Sequence, residues 1–155
     1  MKTQPSEGGL LVAKVHQVSG RVFARLLREE GSFPINPAQG RILFALWRAG
    51  NMPMAALARE TALEPSTLTS MLDRLEDAGL VRRLPSKDDR RVTMVKRTEA
   101  DRALEERYRE VSDRMTELFY GSLGEVERKT FEKTLGRILD NLLEAERGLR
   151  DAPTA

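Results

Sequence analysis

The chain has 155 residues, 40% hydrophobic, 32% charged and 5% aromatic, with a formal net charge of only +2, which suits one domain or a small two-lobed, helix-rich unit. So weak an overall charge means that a case for nucleic acid must rest on where the charges sit. There is no cysteine, which excludes disulfides, thiolate zinc sites, cysteine nucleophiles and thiol redox sensing.

Residues 1–9 are polar and expected to fray. The apolar run that follows, Leu10 to Ala13, is far too short for a signal-peptide core or a membrane span, so the expectation is a cytoplasmic protein with no membrane contact. Over residues 10–28, Leu11, Val15, Val18, Val22 and Leu26 recur in steps of three and four, which predicts an amphipathic helix with a wide apolar face. The segment from Gly31 to Pro34 should end it.

Asn36 and Pro37 suit the N-cap and first position of a second helix, whose body over 38–48 carries Ile42, Leu43, Ala45, Leu46 and Trp47. Residues 50–53 read as its stop. A short helix over 54–60 and a tight connection over 61–65 come next. The helix over 65–78 places Leu68, Met71, Leu72 and Leu75 on one face, and Gly79 supplies a left-handed stop. Residues 80–84 and 92–96 read as two strands around a polar loop, with only weak alternation. Thr98 caps a long helix, with Asp101 in the place of a capping-box Glu or Gln. Its stripe is Leu104, Tyr108, Val111, Met115, Leu118 and Phe119. The segment from Gly121 to Gly124 breaks it. A last helix over 125–147 carries Phe131, Leu135, Ile138, Leu139, Leu142 and Leu143.

Function concentrates in the helix over 65–78 and the loop behind it. Opposite the apolar face stand Ser66, Thr67, Thr69 and Ser70, with Arg74 one turn on. Small hydroxyl side chains let a helix approach DNA closely and bond phosphates or base edges, and an arginine reaches guanine or phosphate. On its own the face reads equally as a solvated one with capping serines. Its position adds weight, because a short helix precedes it across a tight turn, as in helix-turn-helix proteins. Between Gly79 and Arg97 the cations are Arg82, Arg83, Lys87, Arg90, Arg91, Lys96 and Arg97 against Asp88 and Asp89, a local charge of +5.

The run STLTSMLDRLEDAGLVRR, followed by DDRRVTMVKRTEADRAL, resembles the winged helix-turn-helix core of the MarR family of bacterial transcriptional regulators. The likeness extends over residues 10–147. It implies that Ser66, Thr67, Thr69, Ser70 and Arg74 face the major groove and its phosphates. Arg91 would enter the adjacent minor groove from the wing, where an arginine also reads groove width. Arg90 would touch backbone beside Lys87, and Asp89 would orient the wing by pairing with an arginine such as Arg83. The chain departs from the family's pattern at Arg97, usually leucine, and at Asp101, usually glycine. Arg97 is expected to snorkel or add a phosphate contact, and Asp101 to serve as a helix-start residue.

The expected fold is mainly α with a small β wing. A winged helix-turn-helix lobe, residues 37–97, joins through a connecting helix, 98–121, to a helical dimerisation lobe built from 10–34 and 122–148. Flexible termini would occupy 1–9 and 149–155. The first and last helices carry more apolar surface than a small lobe needs, which fits a homodimer, or else one ordinary intrachain core. The family resemblance implies a small aromatic or anionic effector, with His16, Arg21, Trp47 and Tyr108 as candidate pocket residues. One histidine is too few for a His-rich metal site, and no nucleophile–base pair or phosphate loop is visible. The sequence therefore favours a non-enzymatic, cofactor-free transcriptional regulator, a repressor, that binds double-stranded DNA. A regulator without effector, or a winged protein-interaction module, fits the same residues.

Overall fold

A computed structural model of the chain describes residues 6–31 and 35–150. The expected stop at Ser32 to Pro34 and the expected tails at 1–5 and 151–155 lie outside the described residues. The chain divides into two compact units at residues 115/116.

The first unit begins with α1 (Gly8–Glu29) and α2 (Pro37–Ala49). Helix α1 starts two residues earlier than expected, because the Leu11 amide already donates to the Glu7 carbonyl. Only the C-terminal end of its apolar face is buried, at Leu26 and Leu27, while Leu10, Leu11, Val12, Val15 and Val18 stay exposed. Helix α2 opens on a full capping box. Asn36 Oδ1 accepts from the Gln39 amide at 2.8 Å, and Gln39 Oε1 accepts from the Asn36 amide at 2.9 Å. The two bonds satisfy donors that a helix start otherwise leaves open.

Residues 50–53 do more than stop α2. Met52–Pro53 form a short strand, β1, antiparallel to β3 (Thr93–Arg97), in a sheet of order β1-β3-β2 with β2 at Val81–Pro85. The sheet thus has three strands where the sequence suggested two. Pro53 hid the third, yet a proline is tolerated on an edge strand, where its missing N–H costs no ladder bond. Each long strand also lies one residue later than expected. The β2–β3 register pairs Val81 with Arg97 and Pro85 with Thr93, and it buries Val81 and Val95 completely.

Helix α3 (Met54–Thr61) leads through Ala62, at φ 53°, into α4 (Pro65–Asp77). Leu68, Leu72 and Leu75 of α4 are buried against Ile42, Leu43, Leu46 and Leu57. Gly79, at φ 73°, ends α4. Its amide donates to Glu76 O, and the Leu80 amide reaches back to Leu75 O, both at 2.9 Å. This paired closure turns the chain directly into β2.

Helix α5 (Glu99–Tyr120) is capped by Thr98, whose Oγ1 accepts from the Asp101 amide at 3.2 Å and donates to Gly79 O at 2.7 Å. Leu104, Tyr108 and Val111 of α5 are buried. Tyr108 sits edge-on to both Phe23 (5.5 Å) and Trp47 (4.7 Å). A Cβ at Gly40 would lie 2.4 Å from the Tyr108 hydroxyl, so this close approach of α2 to the ring needs glycine.

The second unit holds the end of α5, a turn at Gly121 (φ 53°) and α6 (Glu125–Arg150). Phe119, Tyr120 and Phe131 cluster at 5.1 to 6.3 Å. Tyr120 donates to Glu132 at 2.6 Å. Helix α6 runs three residues beyond its expected end and has no buried residue. Leu118 and Phe119, expected on the packed stripe of α5, are exposed too.

Candidate nucleic-acid interface

Helix α4 is two-sided. With Leu68, Leu72 and Leu75 in the core, Ser66, Thr67, Thr69, Ser70 and Arg74 all emerge on the exposed side. Thr69 Oγ1 donates to Pro65 O at 2.9 Å, so its hydroxyl hydrogen is used within the helix, and its lone pairs and methyl remain for a ligand. Glu64 makes no side-chain cap bond, which leaves the leading amides of α4 open, although its charge opposes an anion there.

The loop between β2 and β3 is closed by its own backbone. The Ser86 amide donates to Val92 O at 2.7 Å, and the Val92 amide to Asp89 O at 3.0 Å. Asp89 then gathers Arg91, accepting from its amide at 3.0 Å and from Nε and Nη2 at 3.1 Å each. These bonds hold the Asp89 carboxyl below its ordinary range. The Arg91 side chain is nevertheless 90% exposed, so the fork aims it outward without burying it. Lys87 and Arg90 are exposed beside it and make no ion pair among the described residues.

Asp89 therefore does not pair with Arg83, as the sequence suggested. Arg83 is turned the other way, onto α4. Its Nη2 donates to Asp73 Oδ1 at 2.5 Å, while its Nε (3.2 Å) and its amide (2.9 Å) share Glu76 Oε2. The side-chain bond from Asp73, followed by that from Glu76, raises the Arg83 guanidinium, and in return Arg83 lowers the Glu76 carboxyl. The local reason is register: Arg83 lies at mid-strand, close to the C-terminal half of α4, whereas Arg91 is two residues from Asp89. Arg83 ties the wing's root to the helix, and Asp89 orders the wing's tip.

Arg97 also differs from expectation. It neither snorkels nor reaches outward. Its Nε donates to Asp101 Oδ2 and its Nη2 to Glu105 Oε2, both at 2.5 Å, and its side chain is 15% exposed. Burial alone would lower the guanidinium, but the two carboxylates outweigh it and raise it. Asp101 is fully buried, and its other oxygen accepts from Trp47 Nε1 at 2.7 Å. Its carboxylate is thus an anchor rather than a helix-start group. The two positions that break the family pattern are partners.

A family model described as the MarR family matches residues 35–93. The fold matches a mutant MarR from E. coli complexed with operator DNA, at a TM-score of 0.72 and 29% identity over 84% of this chain and 92% of that one. Over these residues the chain resembles the MarR family. It is 27% identical to the HTH-type transcriptional regulator YwhA of Bacillus subtilis, over 71% of this chain and 81% of that protein. It is also 27% identical to the HTH-type transcriptional repressor IacR of Pseudomonas putida, over 84% and 77%. Its winged helix-turn-helix is the fold of these DNA-binding transcriptional regulators.

The MarR match spans α2 through the start of β3, and so includes every exposed α4 and wing residue described above. The pocket candidates separate. Trp47 and Tyr108 meet on one wall of a cleft of about 330 Å³ in the first unit, which Phe44, Arg48, Glu105 and Arg109 also line. His16 and Arg21 are exposed on α1 and do not line it. Phe44 and Glu105 escaped the sequence reading: Phe44 looked like one more apolar position, and Glu105 like a surface charge. Among the described residues no group of three His, Asp or Glu side chains is placed to hold a metal, and no helix is long and apolar enough to cross a membrane.

Proposed function

We propose that the chain acts as a homodimeric repressor that grips a pseudo-palindromic operator and is released by a small aromatic or anionic effector. The observation that carries the DNA grip is the division of α4. One face is buried at Leu68, Leu72 and Leu75, and the other offers four small hydroxyl residues and Arg74 to a groove, beside a wing whose Lys87, Arg90 and Arg91 face solvent. Small side chains allow close approach, Arg74 supplies guanine or phosphate contact, and Arg91 suits a narrow minor groove. Asp89 and Arg83 then act as supports for that wing.

The dimer rests on α6, whose apolar residues other than the half-buried Leu135 are exposed within one chain, and on the exposed apolar face of α1. Segments 10–34 and 122–148 would form the dimerisation lobe, with 37–97 as the DNA-binding lobe and 98–121 connecting them. Two-fold symmetry then spaces the half-sites about one helical turn apart, on the order of 34–36 Å. Release by an effector is supported by the aromatic cleft at Trp47 and Tyr108 with Arg48 and Arg109 at its rim, and repression by the likeness to the repressor IacR. Such a regulator would work in the cytoplasm.

Selection of bound DNA from random sequence tests the reading. A two-fold motif is expected. With that DNA, Arg91→Ala should weaken binding and flatten the salt dependence by about one unit of slope if it touches phosphate. Arg74→Ala should change base preference. A failure to enrich any motif would favour a protein-interaction module instead.

A further inference from the structure

We propose that Arg97 is a positioning residue that couples the wing to the Trp47–Tyr108 cleft, so that wing movement and cleft shape change together. The proposal rests on the reading of the wing as a DNA contact.

Arg97 is the last residue of β3, the strand that carries the wing back to α5. Its amide is fixed by Asn51 Oδ1 at 2.8 Å, beside β1. Its side chain leaves the sheet and enters a carboxylate pair one and two turns into α5, Asp101 and Glu105, at 2.5 Å each. From there the chain of bonds continues in two directions. Asp101 holds the Trp47 indole at 2.7 Å. Glu105 lies 3.7 Å from Arg109 through its second oxygen. Trp47, Glu105 and Arg109 all line the cleft, and Trp47 stands edge-on to Tyr108, which lines it too. The root of the wing and the wall of the cleft are thus joined by three hydrogen bonds, Arg97 to Asp101, Trp47 to Asp101 and Arg97 to Glu105, each with an ionised partner.

Burial makes this connection stiff. Asp101 is fully buried and Arg97 nearly so. Pulling either away from the other strands a charge inside the protein, which is far more costly than parting two surface ions. A shift of β3 at Arg97 therefore carries Asp101 and Glu105 along, or exchanges their bonds as a set, and in both cases Trp47 moves or loses its acceptor. Linkage is reciprocal: whatever fixes the wing from the DNA side must be felt at Trp47, and whatever fills the cleft must be felt at the wing. Arg83 sets the wing against α4 through Asp73 and Glu76, but those partners are exposed and do not line the Trp47–Tyr108 cleft. Arg97 is the tie that leads to the cleft.

Trp47 is the sole tryptophan of the chain, so its fluorescence reads the relay directly. The intact protein is titrated into fluorescein-labelled DNA obtained by selection from random sequence, with anisotropy reporting binding and tryptophan emission reporting the relay. In the natural sequence, emission should change in step with anisotropy. R97M should bind about fivefold or more weakly, a modest coupling between linked sites, and should lose the emission change at saturation. R97K, which keeps the charge, should recover part of both. If R97M melts early, E105Q, altered at the more exposed end of the relay, carries the same test and should reduce the emission change.

Saturating anisotropy with no emission change in the natural sequence overturns the relay and leaves the DNA reading intact. So does an emission change that survives unaltered in R97M and E105Q. Absence of binding to any selected DNA overturns both.

Discussion

The two units of this chain solve the same problem in opposite ways. In residues 6–115, the helices after α1 and the C-terminal end of α1 bury their stripes against each other and a small sheet, and every buried hydrophobic side chain among the described residues lies before residue 112. In residues 116–150 the stripe is just as regular, yet Phe131, Ile138, Leu139, Leu142 and Leu143 all remain exposed. Periodicity alone is therefore no guide to where a helix finds its partner. The first unit encloses a core of its own, whereas α6 has an apolar face that one chain leaves uncovered, which supports the proposed pairing with a second copy.

The comparison breaks most sharply on α6. Leu139→Glu combined with Leu142→Glu should turn a dimer into a monomer in sedimentation, while the melting of the first unit is kept. With one half-site engaged at a time, affinity for a two-fold DNA site should fall by about 10² or more, the avidity lost when linked sites are separated. A natural chain that sediments as a monomer, or a double variant that stays dimeric, would end the argument that α6 is an interface.

Alanine at one leucine in each unit sharpens it. Leu72 has no exposed surface, so Leu72→Ala should cost about 2–5 kcal/mol in chemical unfolding, at every protein concentration. Leu142→Ala should instead lower a melting temperature that rises with protein concentration, as expected where the proposed partner is another chain. Equal behaviour of the two variants would mean that both leucines sit in one kind of core.

The same contrast explains what was legible in the sequence. The six helices announce themselves through steps of three and four, and Asn36, Pro37, Gly79 and Thr98 mark ends that local backbone chemistry decides. The exposed α4 face, Ser66 to Arg74, follows from Leu68, Leu72 and Leu75, since burying one face of a helix exposes the other. Strand β1 was not legible, because two residues carry no periodicity and Pro53 argues against a strand until an edge position is known. The partners of Arg83, Asp89 and Arg97 were not legible either. Each has several opposite charges within reach along the chain, and only the β2–β3 register decides which carboxylate it meets. Asp101 misled most: at a helix start it resembles a cap, and only the fold brings Trp47, 54 positions away in sequence, onto its second oxygen.

The smallest effect concerns the surface ties of the wing, which contrast with the buried tie at Arg97. Arg83 holds Glu76 below the ordinary carboxylate range, mainly through its side-chain hydrogen bond. A carboxyl lowered on folding stabilises the fold above its unfolded value, about 4.3. That contribution is lost as pH falls through the lower, folded value. The tie between β2 and α4 should therefore hold at neutral pH and loosen only in acid. Solvent screening keeps its contribution to stability small, since Glu76 is 40% exposed. Carbon-detected NMR titration of the Glu76 carboxyl reads it without relying on stability. The midpoint should lie below that of an unpaired glutamate and should rise in Arg83→Met. If the midpoint is the same in both proteins, the exposed tie has no force in solution, and the buried tie at Arg97 is left as the charged anchor of the wing's root.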